Sequence, residues 1–498
     1  MRFWGIAALA LATAAAGGPA DAQDKGGDAP IEKIEPQVRV SKHSGTFGGQ
    51  RINYAATIGE TILKGEDGTQ KAAIVTTSYV REPRDPSRPV TFLFNGGPGS
   101  GTVWLMMGAF GPKRVAIPPD ARDDGGPPYP ILDNPDSLLD VTDLVFIDPP
   151  GTGFSRLLGK TDPKEFYGVT ADAKAVAQVI RLWLNDNGRW NSPKFLGGES
   201  YGTTRSAAVV NQLEASTFND VSLNGILLIS TILDFAAGAD TQGNELSHIT
   251  SLPSMAATAL YHGKAQAAST EQFVEEARQF AIGPYASALL KGQKISAEER
   301  ASIRRQLSRF TGLSETFIEN ADLRVTPDRF WKELLRDRGL TVGRLDARYT
   351  GKDYDNAGEN IDQDPSFYGI DAGYTAAVNQ WEREGLGFKT DREYQSISSL
   401  IPSWDWNIAG GRDTNAYLNV TPYIGRAMRE NSGLRVFVAQ GYYDFATPFF
   451  AAEYALSRTG IPQDRIEYHY YQAGHMMYVR DEDRVKLSRD IRNFIRSR

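Results

Sequence analysis

The chain has 498 residues, a formal charge of −7 and 41% hydrophobic residues, which allows a large single domain with an insertion, or two domains, and a sizeable core. The mild acidity offers no basic face for nucleic acid. There is no cysteine, so disulfides, thiol nucleophiles and cysteine-ligated metals are excluded. The 5 histidines are dispersed without a His-Glu-x-x-His spacing, so no metal or other cofactor is expected.

At the N-terminus, Met1-Arg2 precedes a small and apolar stretch from Gly5 to Ala16. Ala20-Asp21-Ala22 then fits a small-x-small cleavage site. Residues 1–22 therefore read as a secretory signal peptide. The stretch is short for a membrane span, and no cysteine follows the site to carry a lipid. Export to the periplasm or the medium, with no stable membrane anchor, is the expectation. A chain of this length can be exported without disulfides by relying on its core. Residues 23–36 are rich in Gly, Pro and charge and read as a flexible linker.

Segments around Arg51–Ile58 and Ala72–Val80 read as strands. Val90–Phe94 and Leu144–Ile147 are short apolar runs stopped by Asn95-Gly96-Gly97-Pro98-Gly99 and Asp148-Pro149-Pro150-Gly151. Such runs suit buried strands of a mostly parallel sheet. Val176, Val179, Ile180, Trp183 and Leu184 recur at helical spacing. Phe195-Leu196 leads into Gly198-Glu199-Ser200-Tyr201-Gly202, and the spacing predicts a helix through Leu213. Gly225–Ser230, Leu434–Ala439 and Arg465–Tyr471 are strand-like, and Leu487, Ile491, Phe494 and Ile495 mark a closing helix. The alternation predicts an α/β fold. Its first part spans residues 37–233 and its second 419–498, separated by a largely helical insertion at 234–418 that caps the core.

Gly198 to Gly202 matches the Gly-x-Ser-x-Gly elbow, in which a serine sits on a sharp strand-to-helix turn with its oxygen exposed. A serine hydroxyl needs a base, and the base an orienting carboxylate. In this arrangement they follow in the order serine, acid, histidine. Asp444 and His475 each follow a strand and satisfy that order. His469 falls within a strand pattern, His248 and His262 fall in the insertion, and Asp148 precedes the serine. The backbone N–H of Tyr201 and a glycine loop at 95–99 are the candidate oxyanion donors.

Together these segments resemble the serine carboxypeptidase family (peptidase family S10), which has an α/β-hydrolase fold. Asn95 to Ser100, Asn134-Pro135 through Asp148 to Ser155, Gly198 to Gly202, Gly441 to Phe445 and Gly474-His475-Met476 are similar to its motifs, in the same order. The resemblance implies catalytic Ser200, Asp444 and His475, an oxyanion hole from Gly97 and Tyr201, and Asn95 and Glu199 as receptors for the free C-terminal carboxylate of a peptide partner. A carboxylate beside Glu199 requires the two to share a proton. Three departures stand out. Leu93 replaces the family's tryptophan, Ser100 its motif cysteine, and its disulfides cannot form. An esterase or acyltransferase on the same triad is the alternative, and a non-catalytic binding protein a third reading.

Overall fold

The computed structural model describes residues 33–214, 220–238, 241–408, 418–458 and 460–497. The expected signal peptide, and the expected linker as far as residue 32, lie outside them. A ten-stranded sheet runs through the core: β1 (Val38–Phe47), β2 (Gln50–Lys64), β3 (Gln70–Glu82), β4 (Val90–Phe94), β5 (Asp143–Ile147), β6 (Arg156–Leu157), β7 (Lys194–Ser200), β8 (Gly225–Thr231), β9 (Arg435–Gly441) and β10 (Ile466–Tyr471). The order is β1-β2-β3-β5-β4-β7-β8-β9-β10, with β6 beside β3.

The sheet has two characters. From β5 to β10 every neighbouring pair is parallel. β1, β2 and β3 form an antiparallel meander that joins β5 antiparallel. This meander was legible only as two strands, each shorter than the strand formed. Apart from the half-exposed edge strand β10, the parallel strands are buried on both faces, so the runs of β4, β5, β8 and β9 are largely apolar. Alternation still sorts their side chains. Ile226 and Leu228 of β8 face α1 (Val169–Asp186) and α2 (Tyr201–Glu214). Leu227 and Ile229 face the closing helix Asp481–Arg496, through Leu487, Ile491 and Phe494.

Between β8 and β9 lies the insertion, and residues 36–498 as a whole form one compact unit. Its first half is helical, and the helices Glu245–Tyr261, Thr270–Phe280 and Ala297–Thr311 build a separate apolar cluster. Tyr442, Tyr443, Phe445 and Phe449, from the segment after β9, complete that cluster. Its second half behaves differently. Trp381 is buried in the main core, and its indole N–H donates to the Tyr79 hydroxyl of β3 at 2.8 Å. Thr77 of β3 donates to Glu382 at 2.7 Å. Residues 381–406 are thus part of the hydrolase body, although their composition read as cap. Nothing in the local pattern separates the two halves, because the polar partners are some 300 residues apart in sequence.

Removing the Trp381 side chain should open a cavity in this body. Trp381→Ala is expected to cost about 3–5 kcal/mol of stability, read as a lower midpoint in chemical denaturation.

Candidate active site

Ser200 is the last residue of β7, and α2 begins at Tyr201. Its φ is +61°, a left-handed conformation that costs a non-glycine residue about 1–2 kcal/mol. The turn is sharp because backbone packs on backbone around it. A methyl group on Gly198 would lie 2.0 Å from the Gly202 carbonyl oxygen. One on Gly96 would lie 2.5 Å from Tyr201 N and 2.6 Å from Glu199 O. The loop after β4 is therefore pressed against the elbow. Gly97, at φ +99°, follows in that loop. Tyr201 N, at the first position of α2, has no acceptor within the helix, and the positive end of α2 meets the site.

A buried ion pair underlies the turn. Arg205 Nε lies 2.6 Å from Asp172 Oδ2, joining α2 to α1. Arg205 Nη1 donates to Asn95 O at 2.5 Å, and its guanidinium covers the rings of Phe94 and Tyr201. Sequence reasoning passed over this pair. The available signal was Asp172, a charge on the apolar face of a helix between Val169 and Val176.

Asp148, set aside as a triad acid, fastens the neighbouring loops. Its Oδ1 accepts from Thr102 N at 2.8 Å and from the Tyr394 hydroxyl at 3.1 Å. Ser155 Oγ donates to its carbonyl at 2.8 Å. The segment 148–155 therefore ties the loop after β4 to the sheet.

His475 and Asp444 meet at the ends of β10 and β9. His475 Nδ1 lies 2.8 Å from Asp444 Oδ2. Asp444 Oδ1 accepts from the backbone of Ala446 and Thr447, at 2.8 and 3.0 Å. Its Oδ2 also accepts from Thr447 Oγ1 at 2.6 Å. Ser230, at the end of β8, donates to the His475 carbonyl at 2.5 Å. His469 instead stacks on Phe437 within the sheet, and His248 and His262 lie on or at the end of the helix Glu245–Tyr261.

Glu199 is buried at the same place. Asn95 Nδ2 donates to Oε1 at 2.9 Å and the Tyr478 hydroxyl to Oε2 at 2.7 Å. Leu105 N holds the Asn95 side chain from behind, at 3.1 Å from Oδ1. Burial pushes the Glu199 carboxyl up to about 7, although nearby His475 and the Tyr478 hydrogen bond act to lower it. Burial alone would lower His475, but the carboxylates of Asp444 and Glu199 hold it above its ordinary value. Tyr478 was missed from sequence, since its partner is 279 residues away. Leu93 is fully buried against Gly197 and belongs to the core.

The insertion also reaches the site. His475 N donates to Leu345 O at 2.7 Å and Gly474 N to Asp346 Oδ2 at 3.0 Å. Ala347 N donates to Tyr443 O at 3.0 Å and Phe445 N to Arg344 O at 3.1 Å. Residues 344–347 thus form a strap between the aspartate and histidine loops. Arg348, buried, holds Asp346 through Nη2 at 2.6 Å.

A sheet of this order, parallel from β5 to β10, with a left-handed serine at a strand-to-helix turn, defines an α/β-hydrolase, and the chain is a serine hydrolase. The family model described as serine carboxypeptidase matches residues 78–315. That segment is of the serine carboxypeptidase family, as the motifs indicated, and holds Asn95, Glu199 and Ser200; Asp444 and His475 lie beyond the match. Solved structures similar to the chain include a haloalkane dehalogenase variant from Bradyrhizobium elkanii, with 13% identity and a TM-score of 0.35 over 92% of this chain and 97% of that one. An esterase from Rhodococcus sp. shows 13% identity and a TM-score of 0.35 over 88% and 98%. No curated protein matches the sequence.

Two outcomes test this geometry. A methyl on Gly474 would lie 2.4 Å from Leu345 O, so Gly474→Ala should displace His475 and cut turnover of a small activated ester at least about a hundredfold. Tyr478→Phe deletes a hydrogen bond to the charged form of Glu199, so its carboxyl should titrate above the present value of about 7. An infrared titration of the protonated carboxyl band reads that shift.

Proposed function

We propose that the protein is an exported serine-type carboxypeptidase that releases single residues from peptides with a free C-terminus. The observation that carries this reading is a buried, hydrogen-bonded carboxyl, Glu199 with Asn95 and Tyr478, beside Ser200 and the Asp444–His475 pair. A protonated Glu199 can share its proton with a substrate carboxylate, while Asn95 donates to the pair. That receptor would fix the terminal residue so that the last peptide carbonyl faces Ser200 Oγ. The leader pattern at residues 1–22 supports export.

In the reaction, Ser200 Oγ attacks that carbonyl as its proton passes to His475 Nε2. Asp444 holds Nδ1 and stabilises the imidazolium. The backbone N–H groups of Gly97 and Tyr201 receive the developing oxyanion. His475 then gives the proton to the leaving amine, and water releases the acyl group from Ser200 by the same steps in reverse.

The coupled charges favour mild acidity. Glu199 in its charged form is one cause of the raised His475 pKa. Protonating Glu199 for substrate binding removes that charge and frees His475 as a base at lower pH. Above about pH 7 Glu199 ionises and repels the substrate carboxylate. The expected kcat/KM for a free peptide therefore falls above neutrality, by about tenfold per pH unit at the limit. An ester lacking a carboxylate should lose no activity there, and Glu199→Gln should abolish the alkaline fall for peptides. Peptide digests followed by mass spectrometry should show release of terminal residues by the wild type, almost none by Ser200→Ala, and none from amidated peptides. Equal cleavage of amidated and free peptides, or ester turnover with no peptide release, would instead favour an esterase or acyltransferase.

A further inference from the structure

The strap at residues 344–347 brings to the site a charge that the reaction above does not use. Arg344 O accepts from Phe445 N, one residue beyond Asp444, at 3.1 Å. The next carbonyl, that of Leu345, accepts from His475 N at 2.7 Å. Arg344 is thus fixed within one residue of both Asp444 and His475, while its side chain is exposed. The guanidinium has no ion-pair or hydrogen-bond partner among the described residues.

The acids around it are engaged elsewhere. Asp346 holds Arg348 and Gly474 N. Asp364 accepts from the backbone N–H groups of Arg344, Leu345 and Ser366. Asp444 holds His475 and Thr447. The positive charge nevertheless reaches the site. After burial, Arg344 is the group that pulls the His475 pKa down, against Asp444 and Glu199.

An exposed, unpaired guanidinium fixed at its backbone suits a carboxylate brought in by the substrate, because its planar fork matches that group. The terminal carboxylate already has a receptor in Asn95 and Glu199. A side-chain carboxylate remains. We infer that Arg344 is a specificity-determining residue that favours peptides with an Asp or Glu side chain beside the scissile bond. The inference rests on the carboxypeptidase reading and names its substrate class.

The test uses the full chain and two sets of peptides. In one set the penultimate residue is Glu, Gln or Lys, and in the other the terminal residue is varied in the same way. The wild type should favour Glu over Gln by about fivefold in kcat/KM in one set, the effect of a partly exposed ion pair. The set that responds identifies the subsite. The preference should shrink as salt is raised. Arg344→Ala should bring the ratio to about one, and Arg344→Glu should turn it towards Lys. Each ratio is internal to one variant, so the folded fraction cancels.

A Glu preference unchanged in Arg344→Ala would overturn the inference. So would an equal rise in KM for all three peptides in both sets, which would assign the guanidinium to the terminal carboxylate. A wild type that releases no residue from any peptide would overturn the carboxypeptidase reading itself, whereas release without an acidic preference would remove only the inference.

Discussion

The site depends on one backbone approach, that of the loop after β4 to the turn at Ser200. Gly96 lies so close to Tyr201 N and Glu199 O that no side chain fits between them. This contact brings Gly97, Asn95, Glu199 and Ser200 into one small region although they come from different strands. The buried Arg205–Asp172 pair anchors Asn95 O from below, and Asp148 ties down the following residues. The left-handed Ser200 is tolerated because this framework leaves it no room to relax.

The electrostatics follow from the burial that this packing imposes. Glu199, Asp444 and His475 are all excluded from water, so each feels the others more strongly than it would at a surface. Asp444 has a hydroxyl, an imidazole and two backbone N–H groups around it. Glu199 has only two neutral donors, too few to offset desolvation. Desolvation therefore drives the Glu199 carboxyl upward.

Much of this was legible in the sequence for physical reasons that can be named. Buried parallel strands must be apolar on both faces, so β4, β5, β8 and β9 announce themselves as short hydrophobic runs. The elbow requires small residues at fixed offsets, so Gly198 and Gly202 frame Ser200. Asp444 and His475 follow strands in the expected order. What stayed hidden was whatever depends on distant partners. Tyr478 and the strap have no local pattern, and Arg205 and Asp172 are recognisable only once their helices are paired. The second half of the insertion looks like cap by composition, but Trp381 and Glu382 bind β3.

The strap has a consequence for how such enzymes diversify. Its contacts to the aspartate and histidine loops are mostly through backbone atoms, with Asp346, itself held by Arg348, as the side-chain exception. Side chains such as that of Arg344 can then change without disturbing those bonds. Wholesale exchange of the insertion cannot, since a graft joined at its two ends would remove the acceptor for His475 N along with the cap. Chimeras between relatives should therefore tolerate point variation along residues 344–347 better than transplantation of the segment around them.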